Sequence, residues 1–248
     1  MSTNILFVFE GIKTEKQIVD NLQKEFFVPD NTVVTCVYSG EIYQIYRDIE
    51  ADEDLDTFNL LKERTQNADI LKNYRRTDFA EIYMFFDYDG HSTVADDDKL
   101  NKLLNFFNEE TDKGKLYISY PMVESLKHID CYNSFKYLNV ECKENINYKN
   151  LVHSTCMKEL SNFTLYNTEV WKRLIYVHLK KMNYIVFDSF EFPEDIITQS
   201  LIFTNQLSKF INREPPMVAV LSAFPIFIHD YYGNDKTKEL CFICDTTW

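Results

Sequence analysis

Ile5-Leu6-Phe7-Val8-Phe9 is an unbroken apolar run that stops at Glu10-Gly11, and no other stretch constrains the fold of this chain more tightly. A strand with one face in water alternates apolar and polar residues. A short run that is apolar at every position suits a strand covered on both faces, as in a parallel sheet. Residues 81–86 have the same character and pass straight into Asp87-Tyr88-Asp89-Gly90. Residues 32–38, rich in β-branched side chains, read as a further strand, and residues 116–120 as another, closed by Pro121.

Helical spacing fills the intervals. Thr14 reads as an N-cap, with Glu15 and Gln17 in the first turn and Ile18, Val19, Leu22 and Phe26 as the apolar stripe. Residues 41–74 turn helical around an acidic interruption at 51–56. Asp96 to Asp98 cap a helix whose Leu100, Leu103, Leu104 and Phe107 share one face. The alternation of strand and helix predicts an α/β fold, a mostly parallel sheet flanked by helices. Five Gly and six Pro in 248 residues are too few for the tight turns of an all-β chain. Beyond about residue 130 the spacing is helical in three stretches, 150–163, 169–182 and 193–211. Residues 212–216 then break the chain before one more apolar helix. The reading is a domain over 1–130 and a C-terminal helical domain or appendage over 131–248.

The formal net charge is −13. An acidic balance disfavours non-specific binding to nucleic acid, whose phosphates are held mainly by Lys and Arg. A bound divalent cation, a local basic patch or a basic partner would offset it. Six scattered cysteines lack the density of a disulfide scaffold. The first residues read as a strand rather than a signal peptide, and residues 217–228 are too short to span a bilayer. These features predict a cytoplasmic protein with no membrane segment.

Three acidic motifs fall at predicted strand ends: Glu10-Gly11, Asp87-Tyr88-Asp89-Gly90 and Pro121-Met122-Val123-Glu124. The carboxyl ends of parallel strands converge on one crevice, so residues distant in sequence meet there. Asp87 and Asp89, two apart on an extended segment, point the same way. With Glu10 beside them they would form a hard oxygen site suited to Mg²⁺ or Mn²⁺.

At these residues the chain resembles Toprim-domain nucleases. The segment Ile5-Leu6-Phe7-Val8-Phe9-Glu10-Gly11-Ile12-Lys13-Thr14-Glu15 is similar to the first Toprim motif in its Glu-Gly-x-x-Thr-Glu variant. Asp87-Tyr88-Asp89 resembles the Toprim Asp-x-Asp. Pro121-Met122-Val123-Glu124 resembles the Pro-x-x-Glu segment of RloB-like and abortive-infection nucleases of phage defence. The resemblance covers the first half of the chain. It implies a Mg²⁺-dependent endonuclease acting on DNA or RNA, tRNA included. Glu10 would be metal ligand or general acid/base, Asp87 and Asp89 metal ligands, and Glu124 a ligand or support for a second ion. It also implies a separate ATPase partner, since the chain has no phosphate-binding G-x-x-x-x-G-K-[ST] loop of its own. An oligomer is compatible with all of this. A Gly-Lys-Gly-like motif, as in overcoming-lysogenization-defect nucleases, has no clear counterpart here; Lys127 or His128 would supply that charge. The alternative is a non-catalytic Toprim-like adaptor that binds a partner ATPase.

Each motif also has a plainer reading. Asp-x-Asp-Gly is a favoured polar turn, and Glu124 and Glu15 suit the first turn of a helix. His91 reads equally as a loop histidine or a substrate contact. Cys241-x-x-Cys244 has zinc spacing but no second pair, which favours buried apolar cysteines. Lys62, Lys72, Arg75 and Arg76 form the nearest approach to a basic patch, with a solvated helix face as the default. Most of the 20 Phe and 16 Tyr fall on predicted apolar faces, so core packing is their default over base stacking.

Overall fold

The computed structural model describes residues 4–11, 13–27, 32–51 and 56–242. They fall into two compact units, one drawn from Met1–Tyr88 and Thr93–Ile118, the other from Asp89–Ser92 and Ser119–Trp248. The break expected near residue 130 therefore lies inside the second unit.

The first unit runs β1 (Asn4–Phe9), α1 (Lys13–Phe26), β2 (Val33–Val37), α2 (Ile42–Ala51), α3 (Thr57–Glu63), α4 (Ala68–Leu71), β3 (Phe79–Asp87), α5 (Asp97–Phe106), β4 (Asn108–Glu109) and β5 (Gly114–Ser119). The strands form one mostly parallel sheet in the order β2-β1-β3-β5-β4. β1 lies parallel to both β2 and β3, and the short β4 runs antiparallel to β5. Ile5, Leu6, Phe7, Val8 and Phe9 are all buried, as a strand covered on both faces requires. Aromatic rings fix its register against β3: Phe9 stacks on Phe85 at 5.4 Å between centroids, and Phe7 meets Phe85 edge-on at the same distance. The edge strand β2 is blunted at its end, where the buried Asn67 amide accepts from the Val37 N–H and donates to the Val37 carbonyl. α1 begins at Lys13, so Thr14 lies inside the helix rather than capping it.

The second unit holds β6 (Asn139–Glu141), α6 (Tyr148–Thr155), α7 (Thr168–Phe187), α8 (Gln199–Gln206), β7 (Met217–Ala219), α9 (Ala223–Tyr232) and α10 (Asn234–Phe242). It is mainly helical, but β6 and β7 pair antiparallel, and Tyr120 and Leu221 exchange two backbone hydrogen bonds. The apolar helix expected after residue 216 is thus a short strand first and a helix from Ala223. Residues 218–229 are buried throughout, so this segment is core. α7 packs against α8, α9 and α10. Among the described residues, no helix is long and apolar enough to cross a membrane.

The core of the second unit contains ionisable groups. His178 is fully buried, and its Nδ1 accepts from the Ser222 N–H at 3.2 Å. Lys181, also fully buried, donates to the Leu138 carbonyl and lies over the Phe135 ring at 4.3 Å. Burial pushes the His178 imidazole down to about 3 and that of His128 to about 4, with the Lys181 charge adding to both. A histidine depressed in the fold takes up its proton more readily when unfolded. Stability is therefore full above the ordinary value of 6.5 and falls as pH drops towards the folded values. By pH 5 the loss from His178 alone is expected to be on the order of 2 kcal/mol. Denaturant titrations at pH 7 and pH 5 check this: His178→Gln should show a smaller difference between the two than the wild type.

Candidate metal centre

β1 and β3 are adjacent and parallel, with Phe9 opposite Phe85. Glu10 follows β1 and Asp87 is the last residue of β3, so the register that joins the aromatic rings also joins the carboxylates. Glu10, Asp87 and Asp89 each offer an oxygen, and these oxygens all lie within 4.8 Å of one another. The Asp87 N–H points at Glu10 Oε2 across 3.4 Å. Asp87 is buried and the other two are partly exposed, so the group is anchored on one side and open on the other.

Tyr88 explains how two carboxylates of one segment share a side. Its ring is fully buried, its hydroxyl donates to Asp97 Oδ1 at 2.7 Å, and its carbonyl accepts from the Tyr43 hydroxyl at 3.0 Å. With Tyr88 turned into the core, its two neighbours turn away from it. Asp89 then takes a left-handed backbone with φ 43°, a conformation that Asp tolerates better than most residues. Its N–H donates to the Pro121 carbonyl at 3.3 Å, and its carbonyl accepts from the Ser92 N–H.

Three carboxylates at this spacing repel one another unless a cation lies among them. The donor set is all oxygen and all anionic, which fits a hard divalent ion such as Mg²⁺ or Mn²⁺ and leaves room for water ligands on the open side.

Glu124 stands outside this trio, in the second unit. It lies in a one-turn 3₁₀ segment, Val123–Leu126, with its side chain buried and one oxygen 3.8 Å from Lys149 Nζ. Lys149 is the cation that the sequence reading missed, since it lies 25 positions from Glu124 in no recognisable motif. Lys127 lies over the Phe163 ring at 4.7 Å, and His128 is buried against the Tyr148 hydroxyl at 2.9 Å. His91 is exposed and borders a cleft of about 180 Å³ with Pro121, Met122, Glu141, Asn145 and Lys149.

The remaining candidates take their plainer readings. Lys62 donates to the Tyr74 carbonyl, Lys72 pairs with Asp69 and Arg75 with Asp78, while Arg76 is spent on the carbonyls of Phe79, Thr111 and Asp112. Glu15 sits in the first turn of α1. Cys36, Cys142 and Cys241 are buried, and burial pushes the Cys241 thiol up to about 12, while Cys131 is exposed. Ile12 and Cys244 lie outside the described residues.

No family model matches the chain, and no curated protein or solved structure matches it.

Crowding of carboxylates has a measurable cost. Asp87→Asn keeps the backbone N–H that meets Glu10 and removes one negative charge. In metal-free buffer it is expected to raise the melting temperature by about 2–4 °C, the shift for about 1 kcal/mol in a chain of this size. In the wild type, Mg²⁺ or Mn²⁺ should raise the melting temperature with concentration, and in Asp87→Asn that response should be lost. Thermal unfolding with and without the ion checks both.

Proposed function

We propose that this protein is a Mg²⁺-dependent endonuclease of the Toprim type, cutting DNA or RNA as an effector of anti-phage defence. One observation carries the reading: the carboxylates of Glu10, at the end of β1, and of Asp87 and Asp89, leaving β3, come within 4.8 Å of one another. A chain with no catalytic use for three converging acids would gain by replacing one of them.

Glu10, Asp87 and Asp89 would hold the ion. Bound there, Mg²⁺ supplies Lewis-acid polarisation of a phosphodiester and lowers the pKa of an attacking water. Asp87, buried and joined to the sheet, fixes the position of the set. Glu10, less buried, can take the proton from the incoming water on the oxygen not turned to the Asp87 N–H. Asp89 owes its place to the backbone turn that ties it to Pro121, so the Pro-x-x-Glu segment supports the centre through main-chain contact. Glu124, already close to Lys149, serves as a positioning residue for that segment. Partner dependence on a separate ATPase belongs to the same reading, since the chain carries no phosphate-binding loop.

Incubation with plasmid, single-stranded DNA and tRNA tests the activity, with and without Mg²⁺ and with the neighbouring gene product supplied. Cleavage is expected only with the ion, and Glu10→Gln or Asp87→Asn should lower it by about 10²-fold or more. Cleavage that persists in EDTA or in Asp87→Asn would overturn the assignment of the site.

A further inference from the structure

In a chain of net charge −13, two lysines of the second unit share one set of aromatic rings. Lys136 and Lys180 have no carboxylate within ion-pair distance among the described residues, and each is held by aromatic rings instead. Lys136 Nζ lies 4.4 Å from the Tyr184 ring centroid, 5.2 Å from that of Tyr137 and 5.8 Å from that of Phe190. Lys180 Nζ lies 4.8 Å from the Phe190 centroid and 5.1 Å from that of Tyr176. Phe190 is thus bracketed by both cations.

The arrangement follows from helix geometry. Tyr176, Lys180 and Tyr184 recur every four residues and so line one face of α7. The segment after α7 returns along that face, setting Phe190 against Tyr184 and stacking Phe192 on Tyr176 at 6.2 Å. Tyr137 closes the other end, meeting Tyr184 edge-on at 6.5 Å. Tyr137 is 67% exposed and the other four rings are partly exposed, so the row is a surface and not core. The one carboxylate at the end of α7, Asp188, is neutralised by Lys209 at 2.9 Å, and Glu191 is exposed between the two phenylalanines.

We propose that this row binds a single strand of nucleic acid, with bases stacked on Tyr137 and its neighbouring rings and phosphates against Lys136 and Lys180. The inference rests on the nuclease reading, and makes single-stranded segments the substrate class. Flat rings interleaved with cations suit unpaired bases, which offer a π-face whatever their sequence. A duplex hides those faces. The locally cationic row also supplies the patch that the acidic balance of the whole chain demands of a nucleic-acid binder.

The test needs no catalysis. Fluorescence anisotropy would follow a labelled deoxythymidine or uridine oligomer of about 16 nucleotides, the upper size for a compact strand site, in EDTA. The wild type should bind it more tightly than a duplex of equal length. Lys136→Gln with Lys180→Gln should weaken binding about tenfold or more and reduce the slope of log K against log salt by roughly 1.4, two phosphates at about 0.7 each. Tyr137→Ala should weaken binding about tenfold without changing that slope, and Tyr137→Phe, which keeps the ring, should bind as the wild type does. These side chains are at least partly exposed, so unchanged melting temperatures would establish that the variants fold. Absence of oligomer binding by the wild type, equal affinity for duplex, or wild-type affinity and slope in the lysine variant would each overturn the proposal. Strand binding that follows these variants in a protein without Asp87-dependent metal binding would sink the nuclease reading and leave this surface standing.

Discussion

The pairing of β1 with β3 is the constraint on which the sheet of the first unit and the meeting of Glu10 with Asp87 both depend. Strands rise about 3.3 Å per residue, so a slip of two residues would carry Glu10 some 6.6 Å along β3 and out of reach of Asp87. Register in a parallel sheet buried on both faces is set by side-chain fit. Phe7, Phe9 and Phe85 supply that fit: the Phe7 and Phe9 rings each meet Phe85 at 5.4 Å, and the carboxylates follow, Glu10 one position beyond Phe9 and Asp87 two beyond Phe85. The aromatic core therefore does more than stabilise the sheet, because it fixes where three like charges are forced together.

The same logic runs through Tyr88. Its burial, its hydrogen bond to Asp97 and the bond from Tyr43 hold the middle of Asp-x-Asp inside, which leaves the flanking acids outside. Asp97 belongs to the first turn of α5, so the helix after β3 accepts the hydrogen bond that holds the middle of the motif. A cluster of acids tolerated in a metal-free fold must be held by neighbours that cannot relax. Here those neighbours are a buried tyrosine, a strand pair and a left-handed turn.

Much of the first unit was legible in the sequence because its signals are local. Unbroken apolar runs mark β1 and β3, helical stripes mark α1 and α5, and acids stand at strand ends where a parallel sheet makes them converge. The second unit was legible only as helical. β6 and β7 are three residues each and pair across about 80 positions of sequence, too short to show a period and too far apart to suggest one another. Lys149 beside Glu124, and Lys136 beside Tyr184, are likewise tertiary facts. The basic residues that are adjacent in sequence, Lys72, Arg75 and Arg76, are consumed by local partners, while the lysines that form a surface are 44 positions apart, at 136 and 180.

The proposed nuclease activity depends on one divalent ion lying among Glu10, Asp87 and Asp89. A crystal soaked in Mn²⁺ and measured for anomalous scattering tests that most directly. The account predicts a peak with carboxylate oxygens from all three residues at roughly 2.0–2.3 Å. Crystals saturated with Mn²⁺ that show no peak there, or a trio of carboxylates occupied by lysine or arginine side chains, would contradict it.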